Sequence, residues 1–143
     1  MIYCDTSYLV RLYLDDAGFE LVRALCASDR VACSMHGRVE TCAALHRGFR
    51  ESRFNESRFH ELMDQFADEC EAGAFVWFPS EDRFVIPLER DYRALPRTPF
   101  LRSGDALHLA CAREHGFREI FSNDTHLLKA AKPFGLKGRN VIK

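Results

Sequence analysis

Four short apolar runs punctuate the chain: MIYC at its start, VAC at Val31–Cys33, AFVWF at Ala74–Phe78 and EIFS at Glu119–Ser122. Each has the length of a buried strand, and between them apolar residues recur at helical rather than alternating spacing. Strands and helices that alternate from end to end build an α/β fold with a mainly parallel central sheet of about four or five strands, covered by helices on both faces.

The helical stretches can be placed residue by residue. Tyr8, Leu9, Leu12 and Tyr13 predict a helix that starts at DTS and runs to Asp15-Asp16, and Leu21, Val22 and Leu25 predict a second. A third spans Gly37 to Arg50 and carries Glu40. The clearest covers Asn55 to Gly73, where Phe59, Leu62, Met63, Phe66 and Cys70 share one face and a glycine closes the end. Ser80 to Leu95 has helical spacing interrupted by Pro87, and RTPFLRSG reads as a loop. Ser103 to Gly116 is a helix for which Ser103 is the expected cap. Thr125 to Phe134 is a short helix, and Asn140 to Ile142 is expected as a last edge strand. No linker-like run divides the 143 residues, so a single domain over residues 1–143 is expected.

Charge and cysteine usage exclude several classes. A net charge of −1 argues against a general coat for polyanions. No stretch approaches the roughly 18 apolar residues of a membrane span, and Asp5 interrupts the start too early for a signal peptide. A soluble, cytoplasmic protein is the expectation. The six cysteines form no CxxC pair, which leaves zinc-knuckle and thioredoxin-like chemistry without support.

The chemistry lies in the acids. In an open parallel sheet the ligand crevice lies outside the carboxyl ends of the strands. Asp5 follows the first strand there, and Asp124 follows the fourth within FSNDTH. Asp105 opens the helix that leads into the fourth strand, and Glu40 lies on the helix after the second. Four carboxylates on one rim would repel one another unless they hold protons or bind a cation. An all-oxygen set suits Mg²⁺ or Mn²⁺, and the matching chemistry is phosphodiester hydrolysis. Thr6, Ser7, Ser122 and Asn123 are suited to orienting the acids or holding water. Each acid also has a structural reading: Asp5 as an N-cap, Asp105 as first-turn charge, Asp124 with Asn123 as a turn, Glu40 as solvated surface.

Four segments, IYCDTSYLVRLYL, VET around Glu40, RSGDALHLACAREHGFREIFSNDTHLLKAA and FGLKGRNVI, together resemble the PIN domain, and specifically the VapC-like ribonuclease toxins of type II toxin–antitoxin modules. The third is the most specific. The resemblance implies a three-layer α/β/α domain, Mg²⁺- or Mn²⁺-dependent endoribonuclease activity, a homodimer and a cognate antitoxin that blocks the site. In the family pattern Asp5, Glu40, Asp105 and Asp124 fall on the acidic positions. Asp5 and Asp105 match the acids most readily assigned as metal ligands, Asp124 the more variable fourth, and Ser122 its accompanying hydroxyl. ERDYRALPRTPF, between Ser80 and Arg102, fits no part of the pattern.

For an RNA substrate, Arg11, Arg38, Arg47, Arg97 and Arg102 are candidate phosphate contacts, Arg102 foremost. His108, one turn beyond Asp105, is expected on the same side, packed and hydrogen-bonded. A phospho-acceptor signalling domain is disfavoured, since no acidic pair follows the first strand. A dehalogenase-like phosphatase fails because DTS lacks the second aspartate of its motif. Two readings stand beside the toxin: a PIN-like binding module without catalysis, and a PIN-type nuclease outside any toxin–antitoxin system.

Overall fold

A computed structural model describes residues 1–142. Among them the chain alternates strand and helix in the order β1 (Ile2–Tyr3), α1 (Thr6–Val10), α2 (Phe19–Ala27), β2 (Val31–Ser34), α3 (Met35–Arg50), α4 (Glu56–Glu71), β3 (Phe75–Phe78), α5 (Asp82–Val85), α6 (Leu88–Ala94), α7 (Ser103–Glu114), β4 (Glu119–Phe121), α8 (Thr125–Ala131), a 3₁₀ turn over Lys132–Phe134, and β5 (Lys137–Arg139).

All strand pairings among these residues are parallel. β2 lies between β1 and β3, and β4 pairs with β5. A parallel bridge between Cys4 and Phe121 joins the two pieces, giving the order 3-2-1-4-5. At this joint the N–H of Cys4 still donates to Ala32, while that of Asp5 donates to Phe121 at 3.0 Å. The chain thus begins in the middle of the sheet, builds outward to one side, then returns to build the other. The gap between β1 and β4 is the topological switch point, where open α/β sheets bind ligands.

Alternate strand residues face opposite layers. Tyr3, Ala32 and Ile120 pack with Phe84, Leu88, Leu101, Leu109 and Leu127, under α5 to α8. Cys4, Val31, Cys33, Phe75 and Phe121 pack with Tyr8, Leu9, Val22, Leu45, Leu62 and Phe66, under α1 to α4. The sheet is therefore buried on both faces, as its continuous apolar strands require.

Three expectations need correction. The first helix stops at Val10, and Arg11 to Tyr13 continue as tight turns, with each N–H reaching three residues back. Ser103 does not cap α7. Arg102 is the N-cap residue, with extended backbone and no capping side-chain bond, and Ser103 already lies inside the helix. The final strand is Lys137–Arg139, earlier than expected; Val141 and Ile142 instead pack onto the apolar layer beneath α1 to α4. Pro87 divides Ser80–Leu95 into α5 and α6, as its missing N–H demands.

Two glycines set how closely α3 approaches its neighbours. A Cβ on Gly37 would lie 2.3 Å from Cys33 Sγ and 3.0 Å from His108 Cε1, and one on Gly104 would lie 3.0 Å from Glu40 Oε2. Gly37→Ala is expected to destabilise the fold by about 1–3 kcal/mol through overpacking. Adding Cys33→Ala should recover part of the loss, and urea denaturation of the single and double variants measures both. Wild-type stability for Gly37→Ala would contradict this packing.

Candidate active site

Asp5 leaves β1 at the switch point and enters α1 as its N-cap. The residue is 3% exposed. Oδ1 accepts from the Ser7 hydroxyl at 2.6 Å and from the Tyr8 N–H at 3.3 Å, and Oδ2 accepts from the Ser122 hydroxyl at 2.6 Å. Ser122 closes the gap to the next acid, since its oxygen accepts the Asp124 N–H at 2.9 Å. Ser7 does the same for the Asn123 N–H, also at 2.9 Å, and the Asn123 side-chain oxygen accepts from Asn140. Two hydroxyls thus fasten the end of β1 to the turn after β4. Burial raises the pKa of Asp5; His108 and the three hydrogen-bond donors offset only part of that.

Asp124 caps α8 through Oδ1, which accepts from the N–H groups of His126 and Leu127 at 2.8 and 3.1 Å. Its other oxygen accepts from Arg102 Nη2 at 2.7 Å. Asp105, in the first turn of α7, accepts from Arg102 Nε at 3.3 Å. One guanidinium therefore bridges two carboxylates. Even so, burial first and the Asp124 charge second raise the pKa of Asp105.

Glu40 reaches the group from α3. Its Oε1 accepts from the Thr6 hydroxyl at 2.8 Å and lies 2.6 Å from His108 Nε2, while Oε2 faces His36 Nε2 at 3.6 Å. His108 is 1% exposed, and its Nδ1 lies 2.9 Å from the Tyr3 hydroxyl. Burial alone would lower the histidine's pKa, but Cys33, Glu40 and Asp5 raise it well above 6.5. In the imidazolium form both ring nitrogens donate, Nε2 to Glu40 and Nδ1 to Tyr3. Burial works to raise Glu40, yet the hydrogen bond and charge of His108, with Thr6 and His36, bring it down.

Asp5, Glu40, Asp105 and Asp124 line one cavity of about 610 Å³, together with Thr6, Ser7 and His108. Ser122 and Asn123 stand behind it, holding Asp5 and the turn. Of the candidate arginines, Arg11, Arg47 and Arg102 line the cavity, and Arg50 joins them. Arg11 is bound to the backbone oxygens of Ser7 and Ala17 at 2.7 and 2.9 Å. Arg38 instead lies over the Trp77 ring, 5.8 Å from its centroid, and Arg97 does not line the cavity. Sequence reasoning missed Arg50; its spacing of three from Arg47 on α3, one turn along the same face, was the available signal.

The donor set is hard oxygen, which suits Mg²⁺ or Mn²⁺. Among the described residues no three His, Cys, Asp or Glu side chains already converge as a metal cage. Mg²⁺ needs none, since it is usually held by one or two carboxylates with water and substrate phosphate. Arg102, set between Asp105 and Asp124, shows that this pair attracts positive charge. The residues therefore fit a hard divalent cation.

The model of the PIN domain matches residues 2–133. The chain belongs to the PIN domain family. No curated protein matches it in sequence. Solved structures resemble this PIN chain at low identity. FitAB bound to an IR36 DNA fragment superposes with a TM-score of 0.72 at 14% identity, over 98% of this chain and 94% of that one. The Mycobacterium tuberculosis toxin VapC20, described as cleaving the sarcin-ricin loop, gives 0.67 at 21% identity over 91% and 95%. VapBC2 from Rickettsia felis, bound to a promoter DNA fragment, gives 0.57 at 15% identity over 98% of each chain. At these identities the likeness is one of fold.

Two predictions follow from the electrostatics. Asp105 is raised in the folded state, so its ionisation opposes folding once the pH exceeds its unfolded pKa. Asp105→Asn should therefore raise the melting temperature at neutral pH, with the gain shrinking as the pH is lowered into the carboxylate range; an unchanged or lower value at neutral pH would contradict it. Conversely, His108→Ala removes the buried partner of a part-buried ion pair and the partner of the Tyr3 hydroxyl, and should cost about 1–3 kcal/mol. The histidine's folded pKa is raised, so its share is full below about 6.5 and is lost as pH rises through the folded value. Denaturation across alkaline pH should show the gap between wild type and variant narrowing.

Proposed function

We propose that this PIN domain is a metal-dependent endoribonuclease of the VapC-like toxin kind, acting as one unit over residues 1–143. The observation that carries the reading is the meeting of Asp5, Glu40, Asp105 and Asp124 in one cavity at the switch point of a PIN fold, with arginines on the same wall. Asp5, Asp105 and Asp124 would hold Mg²⁺ or Mn²⁺, which supplies acidification of water and neutralisation of phosphate charge.

The chain's own residues do the rest. Ser7, Ser122 and the Tyr8 N–H keep the Asp5 carboxylate at one orientation. Glu40 reaches the cavity from α3 and is suited to position a water and accept its proton. Thr6 and His108 occupy Oε1, leaving Oε2 to act toward the cavity. Water oxygen attacks phosphorus while its proton passes to Glu40, the bond from phosphorus to the leaving ribose oxygen breaks, and that oxygen takes up a proton from solvent water. Arg102 is in direct contact with Asp105 and Asp124, and it would also contact the scissile phosphate. Thr6 holds Glu40 from within the cavity, and the Asn123 N–H holds the Ser7 hydroxyl that donates to Asp5.

The neighbours FitAB and VapBC2 are complexes of paired proteins on DNA. They support a cognate antitoxin as this chain's partner; a homodimer is proposed as the working form from the family resemblance alone. No helix among the described residues is long and apolar enough to cross a membrane, which fits a cytoplasmic protein.

The test is cleavage of a cellular RNA pool with Mg²⁺, with Mn²⁺ and with EDTA. Cutting should require the metal, disappear in Asp5→Asn and Asp105→Asn, and slow by roughly 10²–10⁴-fold in Glu40→Gln. Cleavage that survives EDTA, or persists in folded Asp5→Asn, would overturn the reading. A folded wild type that binds RNA without cutting it would leave the PIN binding module in its place.

A further inference from the structure

Phe100 lies in the loop that departs from the family pattern, and it is 63% exposed. The chain on its C-terminal side is anchored. Leu101 is buried in the apolar layer under α5 to α8, and its carbonyl accepts from the Tyr92 hydroxyl at 2.8 Å. On the near side of the loop, Arg102 is bound to Asp105 and Asp124. Phe100 is thus carried to the outside by a backbone that its next two residues hold in place. Its ring meets His126 edge to face, with centroids 5.6 Å apart and planes at 87°. His126 stands in the first turn of α8, and its N–H donates to Asp124 Oδ1. The two rings therefore form an exposed aromatic corner tied on one side to Arg102 and on the other to Asp124.

A lone exposed aromatic needs no explanation. Here the ring is oriented by a second one and sits next to the residues assigned to the phosphate. We propose that Phe100, steadied by His126, is the stacking platform for a nucleobase beside the bond to be cut. This rests on the ribonuclease reading. Arginine contacts to phosphate fix the strand's position without reading its bases. A base in a duplex has its faces covered by its neighbours, whereas an unpaired base can lie on an aromatic ring. The aromatic corner thus supplies what the carboxylates and arginines lack, a means of telling unpaired from paired RNA.

The test uses the full chain in EDTA and a short single-stranded oligoribonucleotide carrying one fluorescent adenine analogue, alone or annealed to its complement. Wild type should bind the single strand and quench the analogue. Phe100→Ala should weaken that binding about ten-fold or more and abolish the quenching. Phe100→Tyr should preserve both, and His126→Ala should fall between. On the duplex, wild type and Phe100→Ala should bind alike. Phe100→Ala should melt with the wild type, as befits an exposed side chain. Equal binding and quenching by Phe100→Ala and wild type would overturn the platform while leaving the nuclease intact, and would point to a protein-facing role for the ring. If wild type neither binds the strand nor cuts the RNA pool, both readings fall together.

Discussion

The carboxylate of Asp5 is almost wholly out of water at the seam where β1 meets β4, and the rest of the molecule is arranged around that fact. An unpaired buried carboxylate would be strongly disfavoured. Here Ser7, Ser122 and the Tyr8 N–H satisfy it, and these donors come from both sides of the seam. The Ser122 hydroxyl also accepts the Asp124 N–H, so the bond that satisfies one acid positions the next. Closing the sheet and building the site are one operation, because the return of the chain to β4 brings Ser122 to Asp5.

The remaining acids are balanced in two different ways. Asp105 and Asp124 share the guanidinium of Arg102, which offsets only part of the burial that raises Asp105. Glu40 is paired with a buried histidine whose other nitrogen is held by Tyr3, and it is lowered. Neighbouring carboxylates pushed in opposite directions by their surroundings are suited to different tasks. Holding Asp105 beside Asp124 and out of water opposes stability.

Much of this was legible in the sequence because local chemistry and global position agree. DTS and NDTH are capping sequences, and in a parallel sheet helix caps after strands fall on the ligand edge, so Asp5 and Asp124 are both caps and part of the cavity lining. The apolar strands declared their double burial, and Pro87 its break. Long-range contacts were less legible. The partners of His108 come from β1, α1 and α3, and no spacing within DALHLA announces them. Arg102 displaced Ser103 at the start of α7 because its side chain is drawn to Asp105 and Asp124. Val141 and Ile142 look like strand, yet they pack beside Tyr8, whose hydroxyl accepts the Val141 N–H at 2.7 Å. The loop before Arg102 carries no periodicity to read, although it holds the exposed Phe100.

The central claim is that these carboxylates form a single cation site. Titration calorimetry with Mn²⁺ on the folded chain tests it without reference to any RNA. The account predicts saturable binding by the wild type, at least about ten-fold weaker binding by Asp105→Asn, and unchanged binding by Glu61→Gln, an exposed acid on α4. An absence of saturable binding, or equal affinity in Asp105→Asn, would contradict it.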